Sequence, residues 1–360
     1  MSPALPASPS NPPRLLAVAT AVPPHPLDQD AVVERIKSLF ERSRDLDRLL
    51  PVFANSGIRR RFSCVPIEWY DTQHGWAERN RLYLASALDL IDSATRTALR
   101  RAGRGPDEIG AVVAVSSTGI ATPSLDALLI DRLELRPEVR RLPLFGLGCA
   151  GGVIGLARAA AEARLCPGET VLLVVVELCA LSFRRDDDSK RNLVATALFG
   201  DGGAAALLST DGPGPSVTAA GEHTWPDTLA VMGWEVADDG LRTVMSRDIP
   251  HLVLTRLAAA ASAFLARHGL TLDNIDRFVC HPGGAKVLSA LERAFALPPA
   301  ALADGRAVLR DYGNMSAATV MFLLEHLLAE PCDGGRRWRR ALVNALGPGF
   351  TAAFLTLENG

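Results

Sequence analysis

Two kinds of apolar pattern alternate along this chain. Residues 111–116 (AVVAVS) and 171–176 (VLLVVV) are short, nearly unbroken apolar runs, the pattern of strands buried on both faces. Between them Val153, Leu156, Ala157, Ala160 and Ala163 recur at helical spacing until Pro167-Gly168 ends the run. A small-residue strand follows at 204–208, and then Asp211-Gly-Pro-Gly-Pro215 breaks the pattern. Beyond the break the order recurs, with helices predicted over 252–268, 284–296 and 316–328 and strands over 277–280, 341–345 and 351–356. The two stretches 202–208 (GGAAALL) and 350–355 (FTAAFL) are alike in composition and place. The pattern therefore predicts an α/β fold built from two similar halves: a lead-in over 1–13, an N-terminal half over 14–212 and a C-terminal half over 213–360. Two such halves would bury a helix between two sheets and bring strand ends to one site.

Composition narrows the function. A chain of 360 residues with 48% hydrophobic content supplies ample core for two domains. Its formal net charge of -2 gives no general basic field, which argues against a nucleic-acid binder. Six irregularly spaced cysteines with no CxxC pair match neither a secreted disulfide framework nor a zinc site, so reduced thiols are expected. The proline-rich start lacks the basic and apolar regions of a signal peptide, and no apolar run approaches the roughly 20 residues that span a bilayer. A soluble, cytoplasmic protein without a membrane span is the expectation.

One thiol stands apart from the rest. Cys149 lies in Leu144-Phe-Gly-Leu-Gly-Cys-Ala-Gly-Gly-Val153, where glycines surround it in or just before the first turn of a predicted helix. Free amide N-H groups and the helix dipole favour a thiolate there. Cys64, Cys166, Cys179, Cys280 and Cys332 carry no such setting and read as small buried hydrophobes. His281 directly follows a predicted strand and precedes Pro282-Gly-Gly284, a turn that leaves the imidazole at a strand end. Asn314, in Asp311-Tyr-Gly-Asn-Met-Ser316, sits where an asparagine caps a helix or donates a hydrogen bond to a developing oxyanion. Cys, His and Asn on matching ends of two halves form an acyl-transfer constellation.

Gly148-Cys-Ala-Gly151, His281-Pro-Gly-Gly284, Tyr312-Gly-Asn-Met-Ser316 and Gly347-Pro-Gly-Phe350 together resemble the type III polyketide synthases, the chalcone-synthase-like branch of the thiolase superfamily. The likeness runs from about Pro13 to the C-terminus. Initiating ketoacyl synthases resemble the chain less, since they carry His-Gln-Ala-Asn where this one has His281-Pro-Gly-Gly284; thiolases place a second cysteine where Asn314 stands. The resemblance implies a duplicated αβαβα thiolase-like fold in a homodimer. It implies that Cys149 accepts a starter acyl group, that His281 holds the thiolate as an ion pair, and that His281 and Asn314 bind malonyl-CoA through decarboxylation. It also makes Phe199 the gatekeeper and Gly347, Pro348 and Gly349 the loop that shapes the site.

The same likeness assigns CoA contacts to Arg59, Arg60, Arg61, Gly284 and Lys286, with no metal and no cofactor beyond the CoA thioester substrates. Ser117, Thr118, Thr122, Cys179, Leu181, Ser182, Trp234 and Thr243 fall at its cavity-lining positions, Thr243 where plant enzymes have a second gatekeeper phenylalanine. Residues 116–124 and 225–234 look most like bacterial alkylresorcinol and alkylpyrone synthases. The implied reaction extends a medium- or long-chain fatty acyl starter with malonyl units to an alkylpyrone or alkylresorcinol. A small-starter synthase making triacetic lactone, phloroglucinol or a naphthalene product is the alternative, followed by a single-condensation ketoacyl synthase fed by a carrier protein and, last, a non-enzymatic acyl-CoA-binding relative.

Overall fold

A computed structural model describes residues 11–298, 300–330 and 338–359. Residues 1–10 of the lead-in, Cys332, Arg336 and Arg337 lie outside them. Nine strands form one large sheet: β1 Arg14–Ala21, β2 Ile109–Val115, β3 Arg140–Leu144, β4 Thr170–Leu178, β5 Asp201–Ser209, β6 Ser216–Thr224, β7 Arg277–Cys280, β8 Arg340–Gly347 and β9 Thr351–Glu358. Their order across the sheet is β7-β8-β9-β6-β1-β5-β4-β2-β3. Outward from the central pair, β1 meets β5, β4 and β2, and β6 meets β9, β8 and β7. Each series runs antiparallel, antiparallel, parallel. The repeated small-residue strands are thus equivalent members, β5 and β9, of two copies of one topology, and residues 211–215 connect β5 to β6.

Side chains along one strand serve two cores because successive residues point to opposite faces. On β4, Val171, Leu173 and Val175 face the middle of the molecule, and Leu172, Val174 and Val176 face outward. On β8, Ala341, Val343 and Ala345 face the middle while Leu342 and Leu346 face a third core. Both faces being covered explains why these runs lack polar alternation. Four outer and inner helices do most of the covering: α1 Trp76–Ala102, α2 Gly151–Leu165, α3 Ala285–Ala294 and α4 Thr319–Ala329. α1 lies over the N-terminal half, α3 over the C-terminal half, and α2 and α4 fill the space between the halves. This layering is the duplicated αβαβα arrangement.

The α2 helix is buried on nearly every side of its first two turns, from Gly151 through Leu156. Its glycines are demanded by neighbours: a Cβ on Gly152 would lie 2.4 Å from the Ala317 carbonyl oxygen and 2.6 Å from Val320 Cγ1. The 27-residue α1 is a helix the pattern above did not include, although its buried Tyr83, Ala87, Leu90, Ile91, Ala94, Ala98 and Leu99 recur at helical spacing. The helical run Ile249–Ala266, with mean hydropathy 1.5, is long enough to match a membrane span, contrary to expectation. Its Val253, Leu257, Ala261, Phe264 and Leu265 form one buried stripe in the third core, and Thr255 and Arg256 face out, so it serves as an outer-layer helix.

Filling the α2–α4 contact is expected to cost stability. Gly152→Val should destabilise the protein by about 1–3 kcal/mol or more, read as a lowered urea or thermal midpoint. Gly75→Ala, where an added Cβ meets nothing within 4 Å, is the neutral control. Equal midpoints for both variants would contradict the tight contact.

Candidate active site

Cys149 sits in the 3-10 turn Gly148–Ala150 that opens into α2. Gly148 adopts φ +46°, and its N-H donates to Ser117 Oγ at 3.1 Å. The β8–β9 connection presses on this turn: a Cβ on Gly148 would stand 2.5 Å from Pro348 Cδ, and one on Gly347 would stand 2.3 Å from the Leu147 carbonyl oxygen. Gly347-Pro348-Gly349 therefore clamps the backbone that carries the thiol.

His281 continues β7 by one residue, its N-H donating to the Asn344 carbonyl at 2.9 Å, so the imidazole projects from a held strand end. The residue is 5% exposed, and neither ring nitrogen has a partner among the described residues. Asn314 precedes α4 and is held from four directions. Its N-H donates to Leu198 O at 2.8 Å, and its carbonyl accepts from Gly200 N-H at 3.0 Å. Its side-chain Oδ1 accepts from Ser316 N-H at 2.8 Å, and Nδ2 donates to Gly283 O at 3.2 Å. With the oxygen occupied, the amide face turned to the cavity is a donor.

One cavity of about 530 Å³ reaches Cys149, His281 and Asn314 together with Phe199, Trp234, Thr243 and Ser316. Loss of water governs its electrostatics. Burial pushes the Cys149 thiol up to about 12, with hydrogen bonds from Ser316 and Asn314 opposing it, and drives the His281 imidazole down to about 4. Desolvation thus outweighs the helix-start amides that favour a thiolate. Each group thus disfavours its own charge in this setting. Close by, Glu177 is buried and pushed up to about 7, despite accepting from Ser117 N-H at 2.9 Å and Thr118 Oγ1 at 2.8 Å. A thiol, an imidazole and an amide donor around one apolar cavity can bind an acyl thioester and stabilise charge on its carbonyl oxygen.

Residues 7–213 match the family model for chalcone and stilbene synthases, N-terminal domain, and residues 216–359 match the C-terminal domain. The chain belongs to the chalcone and stilbene synthase family. It is 39% identical over 349 residues to a 1,3,6,8-tetrahydroxynaphthalene synthase of Streptomyces peucetius, covering 95% of this chain and 92% of that protein. A type III polyketide synthase of rice, Oryza sativa, is 30% identical, with 94% and 91% covered. The crystal structure of the Streptomyces coelicolor tetrahydroxynaphthalene synthase, a bacterial type III polyketide synthase, superposes with a TM-score of 0.91 at 28% identity, covering 96% of this chain and 99% of that one. The protein is therefore a type III polyketide synthase, an acyltransferase-type condensing enzyme.

The synthase brings some expected residues together and separates others. Trp234 and Thr243 face each other across the ribbon Met232–Ala237/Gly240–Met245 and both line the main cavity, as do Gly284 and Lys286. Cys179 and Ser182 instead line a chamber of about 50 Å³ behind Phe199, and Thr118, Leu181 and Ser182 one of about 30 Å³ behind Trp234. Ser117 is spent on Gly148 and Glu177, and Thr122 is exposed and lines none of these cavities.

Within the arginine run, Arg61 needs correction. Arg61 is 2% exposed and donates to the Thr196 and Phe199 carbonyls, out of reach of any CoA phosphate. Arg60 lies over the Phe62 ring and Arg59 pairs with Asp311, and neither borders the cavity. The cations at the cavity are Arg48, Lys190, Arg247 and Lys286, all exposed, with no carboxylate among the lining residues. Of these only Lys286 is legible in sequence. Ser316 and Glu177 were also missed, though Glu177 is the single charge in an otherwise apolar strand, which is a signal in itself.

Removing the imidazole isolates the thiol. Where the imidazole pairs in charge with the thiol, alkylation of Cys149 by iodoacetamide, which needs the thiolate, should follow a profile displaced to higher pH in His281→Ala than in wild type. Superimposable profiles would exclude charge pairing between the two groups.

Proposed function

We propose that this synthase loads a short acyl starter from CoA onto Cys149 and extends it with malonyl-CoA, releasing a small cyclised polyketide of the triacetic lactone, phloroglucinol or naphthalene class. The observation that carries this reading is the shape of the 530 Å³ cavity: the sulfur, the imidazole and the carboxamide share it, and an aromatic pair walls its inner end. Phe199 and Trp234 stand with ring centroids 6.3 Å apart. The chambers behind them, about 50 and 30 Å³, are each less than a tenth of the main cavity and have no room for a long alkyl chain. The names of the Streptomyces relatives support the same class of product.

In this reading the Cys149 thiolate attacks the starter thioester and CoA leaves as its thiol, carrying the proton from His281. Malonyl-CoA then enters with its thioester carbonyl against the imidazole N-H and the Asn314 amide. Its C-C bond to the carboxylate breaks, carbon dioxide departs, and the electron pair becomes an enolate whose oxygen those two donors stabilise. The enolate carbon attacks the acyl carbon on Cys149, forming the new C-C bond and expelling the thiolate. The Phe199 ring disfavours the malonyl carboxylate in its vicinity and favours its departure as neutral gas. Arg48, Lys190, Arg247 and Lys286 hold the CoA phosphates at the mouth.

A second reading, a fatty acyl starter giving an alkylpyrone or alkylresorcinol, is favoured by the apolar, small-residue lining at Cys179, Leu181 and Ser182. It requires the Trp234 indole to leave the place it occupies here.

A ladder of acyl-CoA starters with malonyl-CoA, products identified by mass, separates the two. Wild type should use acetyl and malonyl starters and fail with octanoyl and longer chains, and Trp234→Ala should gain the longer ones; efficient use of long chains by wild type would sink the short-starter reading. At the mouth, Arg48→Glu with Arg247→Glu should raise KM for malonyl-CoA roughly tenfold with kcat little changed. An unchanged KM would remove these residues from CoA binding.

A further inference from the structure

Arg61 belongs to the short strand Arg60–Ser63, on the side that faces inward, and is among the largest fully buried side chains. No carboxylate lies within ion-pair distance of it among the described residues. Burial lowers its guanidinium to about 10, which still leaves it charged at neutral pH. An unpaired buried cation is costly to keep. Its compensation comes from a helix end: the helix Lys190–Leu198 terminates at Phe199, and Nη1 donates to the carbonyls of Thr196 and Phe199, the latter at 3.5 Å. Those carbonyls carry the negative end of that helix's dipole.

The Cβ of the same side chain closes off a second place. A Cβ on Gly200 would lie 3.1 Å from Arg61 Cβ, and one on Gly313 would lie 3.3 Å from it. Those two glycines flank the isolated parallel bridge between Phe199 and Asn314. Through that bridge Asn314 N-H reaches Leu198 O and Gly200 N-H reaches Asn314 O. Arg61 thus leaves little room for a side chain on either side of the backbone link that joins the gate phenylalanine to the carboxamide.

We infer that Arg61 is a positioning residue, which by capping the Lys190–Leu198 helix and wedging against Gly200 and Gly313 sets the Phe199 ring and the Asn314 amide at a fixed mutual distance across the malonyl site. The inference rests on the roles given to Phe199 and Asn314 above. It predicts that loosening Arg61 uncouples decarboxylation from condensation, because the enolate forms away from the acyl carbon. A purely structural residue would lower all activities by one common factor, through fewer folded molecules.

The test uses the full chain as Arg61→Lys and Arg61→Met, with the folded fraction taken from circular dichroism and gel filtration and Cys149 labelled by iodoacetamide in the folded peak. Per labelled site, condensation should fall roughly ten- to a hundredfold while KM for malonyl-CoA stays within about twofold. Acetyl-CoA released per ketide added should rise, and Arg61→Lys, which keeps the charge, should lie between Arg61→Met and wild type. Wild-type turnover per labelled site, or equal loss of starter loading, decarboxylation and condensation, overturns the inference; so does a fold that collapses in both variants. Asn314→Ala run alongside separates the two levels. If it leaves decarboxylation intact, the reading of the site fails; if it abolishes decarboxylation while both Arg61 variants match wild type, only the role of Arg61 fails.

Discussion

The close approach of α2 and α4 between the two sheet halves is the constraint on which the rest of this synthase depends. Glycine and alanine at the contact let the backbones come together, with Gly152 directly against the Ala317 carbonyl and Val320. Cys149 stands at the start of α2, and Asn314 and Ser316 stand at the start of α4. Packing the helices side by side therefore sets the sulfur and the carboxamide around one cavity, with two positive helix ends near the place where negative charge forms. Larger side chains between the helices would move the two groups apart.

Burial dominates the electrostatics of that arrangement. Burial raises the thiol, lowers the imidazole and raises Glu177, all by penalising isolated charge. In such surroundings a hydrogen bond aimed at a developing oxyanion counts for more than it would in solvent. The exposed cations that border the cavity lie at the solvent boundary, away from the buried groups of the interior.

The residues whose chemistry was legible in the sequence are those marked by their immediate neighbours. Glycines around Cys149, the strand end before His281 and the turn before the helix at Asn314 are local features. Arg61 was misjudged for the same reason: three adjacent cations look like one exposed run, but strand alternation sends Arg61 inward and leaves Arg60 partly outside. That strand exists because it pairs with His25–Asp28, a contact between distant residues with only a weak periodic signature. The mouth cations come from four separate elements, so no spacing along the chain announces them.

By itself, then, the sequence determined the strand and helix periods, the repetition of one topology and the candidates for the reacting groups, since each follows from short-range pattern and covalent chemistry. Tertiary structure decided which small residues border the main cavity and which lie behind Phe199 and Trp234, where its inner wall stands, and which cations meet at its mouth. The physical reason is that volume and field belong to no single segment. A cavity is the space left when distant elements pack at near-crystalline density, and moving one ring by a few ångströms opens or closes it.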